Sequence, residues 1–121
     1  MKMLSTLIAL MTLMPLSAFA DANAAEGERG FRRCTSCHSV ELGQRRSGPS
    51  LFGIVGAQSG AVEGFRYSNA NLNACIIWNE TNLMTFLSNP RRFMPGTRMN
   101  SPGLRSTQDI EDLIAYLSQQ N

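Results

Sequence analysis

The chain has 121 residues, 43% of them hydrophobic and 17% charged, with a formal charge of +2. That is room for one small domain, and the apolar fraction excludes a collagen-like or disordered chain. The near balance of charge argues against a nucleic-acid partner, and three cysteines are too few, and odd in number, for a disulfide-stapled scaffold.

Residues 1–20 read as a secretory signal peptide, cleaved before Asp21. Lys2 supplies the positive start, Leu4 to Met14 an apolar stretch ended by Pro15, and Ala18-Phe19-Ala20 the small cleavage residues. The competing reading is an uncleaved anchor, against which the stretch is short of the ~20 residues of a span. A mature domain over 21–121 is therefore expected in the periplasm, with no integral membrane segment. Lys2 is the only lysine, so past the cut ten arginines face nine carboxylates, a formal charge of +1. Arginine pairs at 32–33, 45–46 and 91–92 read equally as a local basic patch or as solvated helix ends.

Asp21 to Cys34 reads as a first helix with Gly27 and Phe31 on one face. Gly43 to Gly64 is crowded with glycine and small polar residues and reads as loop. Glu80 to Asn89 reads as a helix carrying Leu83, Met84 and Leu87, stopped by Pro90. Pro95-Gly96 and Pro102-Gly103 bracket a second loop. A last helix is capped by Ser106 or Thr107, with Asp109 in its first turn and Ile110, Leu113, Ile114 and Leu117 in one stripe. No alternating strand is evident, so the class is all-α. Loops this long in so small a domain need something to pack on.

Cys34-Thr35-Ser36-Cys37-His38 supplies it, because C-x-x-C-H is the attachment signature of c-type haem. Two thiols at this spacing reach two vinyl groups on one porphyrin edge, and the next residue presents an imidazole to the iron. A thioredoxin-type site needs a βαβ setting that is missing. A zinc site needs four ligands, and with His38 the only histidine just Cys75 is left to add. A disulfide closing so small a loop would stabilise little. For the other axial position the mature chain offers Met84, Met94 and Met99. Met84 falls in an apolar helix and Met94 is wedged between Phe93 and Pro95, whereas Met99 lies on the loop held by the two Pro-Gly pairs. Met99 is the expected ligand. His/Met ligation raises the reduction potential, and filling both axial positions favours electron transfer over catalysis. The alternative is a haem enzyme or gas sensor, which needs Met99 to bind weakly.

The chain resembles the class I c-type cytochromes, of the mitochondrial cytochrome c and bacterial cytochrome c2 type. The likeness rests on CTSCH, on Gly48-Pro49-Ser50-Leu51-Phe52-Gly53, on Gly64 to Asn71, on Trp78, on Asn89 to Met99 and on Asp112 to Leu117, in that order. It implies short helices and long loops wrapped around one covalently bound haem c, and a non-enzymatic single-electron carrier. It further implies that Gly27 and Phe31 cross the last helix at Leu113 and Tyr116. The Pro49 carbonyl would accept from the His38 imidazole, Tyr67 and Trp78 would donate to a haem propionate, and Asn71 and Thr97 would join a polar network on the Met99 side. Implied partners are a cytochrome reductase complex, a terminal oxidase, a reaction centre or a periplasmic dehydrogenase. A monomer would dock transiently at the haem edge, ringed by Arg32, Arg33, Arg91, Arg92 and Arg98.

Four positions depart from the family pattern. Phe86 stands where a tyrosine is usual, Ser101 where a phenylalanine covers the haem edge, and Ala57 where many relatives have an arginine. Cys75 replaces a common glycine and reads as a small buried packing residue, with a reactive thiol as the alternative. The family's lysine ring is absent, and with it any lysine able to displace Met99 at alkaline pH.

Overall fold

The computed structural model describes residues 21–121, and the expected signal peptide lies outside the described residues. Five α-helices follow in order: α1 Ala24–Phe31, α2 Asn69–Ala74, α3 Glu80–Ser88, α4 Pro90–Phe93 and α5 Thr107–Ser118, with a 3-10 turn at Arg32–Cys34. Each α-helix starts at a side-chain cap. Asn23, Ser68, Asn79, Asn89 and Ser106 each accept from backbone amides of the first turn, satisfying donors that helix geometry leaves orphaned. The Asn23 cap explains why α1 begins later than Asp21. Among the described residues there is no strand, only an isolated bridge between Gln58 and Ile77. No helix there is long and apolar enough to cross a membrane.

Pro90 does end α3, but it also opens α4 at its first position. A proline at N1 loses no intrahelical bond and has its φ already set. Asn89 serves both helices, as the last cap of α3 and the first of α4. The short α2 was not expected, and it ends at Cys75 in the left-handed conformation.

α1 crosses α5 closely, and Gly27 makes the crossing possible: a Cβ there would overlap the Asp112 carbonyl and come within 2.8 Å of Tyr116 Cβ. Phe31 meets Tyr116 at a ring separation of 5.5 Å, and joins Leu113 and Leu117 in one apolar cluster. The buried Asp112 carboxylate ties the crossing, accepting from the Asn23 amide at 2.8 Å and the Gln108 side chain at 2.9 Å. A second cluster of Trp78, Leu83, Phe86, Met94, Ile110 and Ile114 joins α3 to the other face of α5.

Candidate haem site

The motif turn is delivered by the 3-10 continuation of α1. Its backbone closes on Cys34, whose carbonyl accepts from Cys37 at 3.1 Å and His38 at 2.8 Å. Both thiols are free. Burial raises the Cys34 pKa, whereas hydroxyls of Ser47 and Ser36 lower that of the exposed Cys37. The His38 Nδ1 lies 2.8 Å from the Pro49 carbonyl oxygen. A carbonyl only accepts, so Nδ1 carries the proton and Nε2 is left with its lone pair for a metal. Burial also lowers the His38 pKa, opposed by this bond, favouring the neutral, ligating ring.

Burial sets one of the three methionines apart. Met94 is buried in the core, and both Met84 and Met99 pack half-buried against the same cluster. Met99 lies half-buried on the loop, its amide donating to Thr97 Oγ1 at 3.2 Å. The Tyr67 hydroxyl accepts from the Val62 amide at 2.9 Å. Burial raises its pKa, opposed by that bond, so its own proton stays available to donate. Trp78 is buried against Phe86 and Phe93, with ring separations of 4.9 and 6.2 Å. Its backbone is pinned to the loop around Ala57, donating to the Ala57 carbonyl at 2.7 Å and accepting from Gly56 at 2.8 Å.

Asn71 tests the fit of a cofactor. Its Oδ1 is buried without a hydrogen-bond partner among the described residues, an arrangement that costs about 1–3 kcal/mol when left so. With the amide turned over, its Nδ2–H occupies this position and can donate to a carboxylate of a prosthetic molecule, which removes that cost. Together with a free imidazole nitrogen, a thioether and two reduced thiols, this donor set fits haem c. It does not fit zinc, since no group of three His, Cys, Asp or Glu able to hold a metal occurs among the described residues.

One sequence reading changes. Cys75 is exposed, not buried, and its φ of 51° is the only positive value at a non-glycine residue among those described. Glycine suits this helix end because it has no Cβ to clash there. Cys75→Gly should therefore raise stability by ~1 kcal/mol, and an unchanged denaturation midpoint would count against it. Arg98 and Arg91 are exposed like the other rim arginines, and their guanidiniums also hold neutral acceptors within the chain. Arg98 donates to the carbonyls of Arg66 and Tyr67 at 3.1 and 2.8 Å, and Arg91 to Asn100. These destinations carry no local signal in the sequence.

The chain matches the cytochrome c family profile over residues 24–121. It is 44% identical over 99 residues to cytochrome c of Gossypium barbadense, covering 80% of this chain and 89% of that one. It is 43% identical over 96 residues to cytochrome c of Euglena viridis, covering 78% and 94%. The solved structure of cytochrome cH from Methylobacterium extorquens superimposes with a TM-score of 0.78 at 35% identity, covering 81% of this chain and 99% of that one. Helices and loops arranged in this way define the class I fold of haem electron carriers, not enzymes. The chain belongs to the cytochrome c family, whose members bind one covalently attached haem c.

Proposed function

We propose that this chain is a soluble, monomeric periplasmic carrier of single electrons, exported by residues 1–20 and functioning as residues 21–121. The signal-like leader supports the location, as does the likeness to a bacterial cytochrome cH. Haem c, when bound, supplies a one-electron iron couple. Cys34 and Cys37 would hold it as thioethers, and His38 Nε2 and the Met99 sulfur would ligate its iron. The bond between His38 Nδ1 and the Pro49 carbonyl at 2.8 Å carries the reading, because it fixes both the tautomer and the plane of the imidazole. Tyr67 and Trp78 donate toward a propionate, and Asn71 and Thr97 complete the polar surroundings of Met99. Phe86 leaves that side without a phenol, so the sulfur there receives no hydrogen bond from position 86.

The test is the optical spectrum of the holoprotein. A low-spin spectrum with the weak red band of a thioether on ferric haem is expected, and Met99→Ala should abolish the band. A high-spin wild-type spectrum, or ready uptake of carbon monoxide, would replace the carrier with a haem enzyme or gas sensor.

Electrons would pass to and from a reductase complex, oxidase, reaction centre or periplasmic dehydrogenase through brief encounters at the haem edge. Arg32, Arg33, Arg91, Arg92 and Arg98 are all exposed for this docking. Ferric haem with two ionised propionates brings the mature charge of +1 to about zero. The rate of electron transfer to a partner should therefore change by less than about twofold between low and high salt. A steep decline with added salt would contradict this.

A further inference from the structure

Three exposed arginines grip backbone across the surface, and their grips join end to end. The Arg46 guanidinium donates to the Thr35 and His38 carbonyls, the latter at 3.1 Å. Its neighbour Arg45 donates to the Gly64 carbonyl at 2.8 Å. The segment that begins at Gly64 is held again at Arg66 and Tyr67 by Arg98, across 32 and 31 residues of chain. The result is a continuous path from the motif turn, through 45–46 and 64–67, to the residue beside Met99.

The Gly48 amide ties the 45–48 loop to the Cys37 carbonyl at 2.8 Å, but among the described residues no backbone-to-backbone bond joins the 64–67 segment to the loop that carries Met99. A guanidinium is suited to the task. Its donors sit in a rigid fork that reaches two successive carbonyls at once. Lysine offers a compact charge on a flexible stem and cannot reproduce the fork.

The geometry points to Arg98, with Arg45 behind it, as positioning residues that hold the Met99 loop against the iron by gripping the 64–67 segment. This rests on Met99 as the axial ligand. Loosening the grip raises the fraction of molecules whose sixth position is open, and the apparent affinity for a competing ligand rises with that fraction.

The experiment is a titration of the ferric holoprotein with imidazole, followed by loss of the red thioether band. Arg98→Ala should bind imidazole on the order of tenfold more tightly than wild type, and Arg45→Ala several-fold. Arg98→Lys should fall between wild type and Arg98→Ala. Leu117→Val, in the α1–α5 cluster and outside the contacts made by Arg45 and Arg98, should lower global stability and leave imidazole affinity unchanged. Affinities of both alanine variants within about twofold of wild type would overturn the inference. So would an equal rise in Leu117→Val at matched stability loss. Arg98→Lys identical to wild type would reduce the grip to charge alone, and an effect confined to Arg98 would remove Arg45. Absence of the red band from the wild type is a separate failure, that of Met99 as ligand.

Discussion

Gly48→Ala is expected to disrupt the proximal ligand although it adds a single methyl group. A Cβ at this position would overlap the His38 ring at Cε1, and would lie 2.7 Å from Nδ1 and 2.9 Å from the Cys37 carbonyl oxygen. Neither neighbour has room to yield. Cys37 belongs to the closed motif turn, and the imidazole is fixed by Pro49 on one nitrogen and, in the proposed holoprotein, by iron on the other. The φ of Gly48 is not positive, so the objection is steric and owes nothing to backbone strain. The variant should lose about 3 kcal/mol of stability, at the upper end for overpacking, with its spectrum shifted toward high spin. A low-spin spectrum with an unchanged denaturation midpoint would refute the assignment of Gly48 as the floor under the imidazole.

The second large effect is a contrast within one helix. Gly27 and Gly30 both lie in α1, but a Cβ at Gly30 meets nothing within 4 Å, whereas at Gly27 it overlaps the Asp112 carbonyl. Helix propensity alone favours alanine at either position by ~1 kcal/mol. Gly30→Ala should therefore gain up to that amount. Gly27→Ala should lose about 2–3 kcal/mol, because α1 and α5 must separate and the Phe31–Tyr116 contact with them. Denaturant midpoints of the two holoproteins decide the matter. Shifts of the same sign would mean that the close crossing is not what Gly27 is for.

The legibility of each element follows the range of the forces that make it. α5 could be read directly, since its stripe of Ile110, Leu113, Ile114 and Leu117 and its Ser106 cap all lie within twelve residues of sequence. α2 could not. Asn-Ala-Asn-Leu-Asn-Ala has weak helix propensity and no apolar stripe, and it is held by the Ser68 cap and by its place beside Gly60. Pro90 was legible as an end but not as a beginning, because α4 depends on Asn89 turning its side chain onto the Arg92 amide. Cys75 was misread as buried because burial of a short helix end depends on what the rest of the chain packs over it.

The amino-acid sequence by itself determined the inventory of this protein's chemistry. It places two thiols and the only histidine within five residues, and leaves no lysine past residue 2. Such content is local, and no folding alters it. The tertiary structure alone decided how that inventory is oriented: the Pro49 carbonyl on His38, the Asp112 carbonyl over Gly27, and the Arg98 guanidinium on Arg66 and Tyr67. These partners lie 11 to 85 residues apart, and which of many available carbonyls a donor meets is set by the packing of helices and loops around the core.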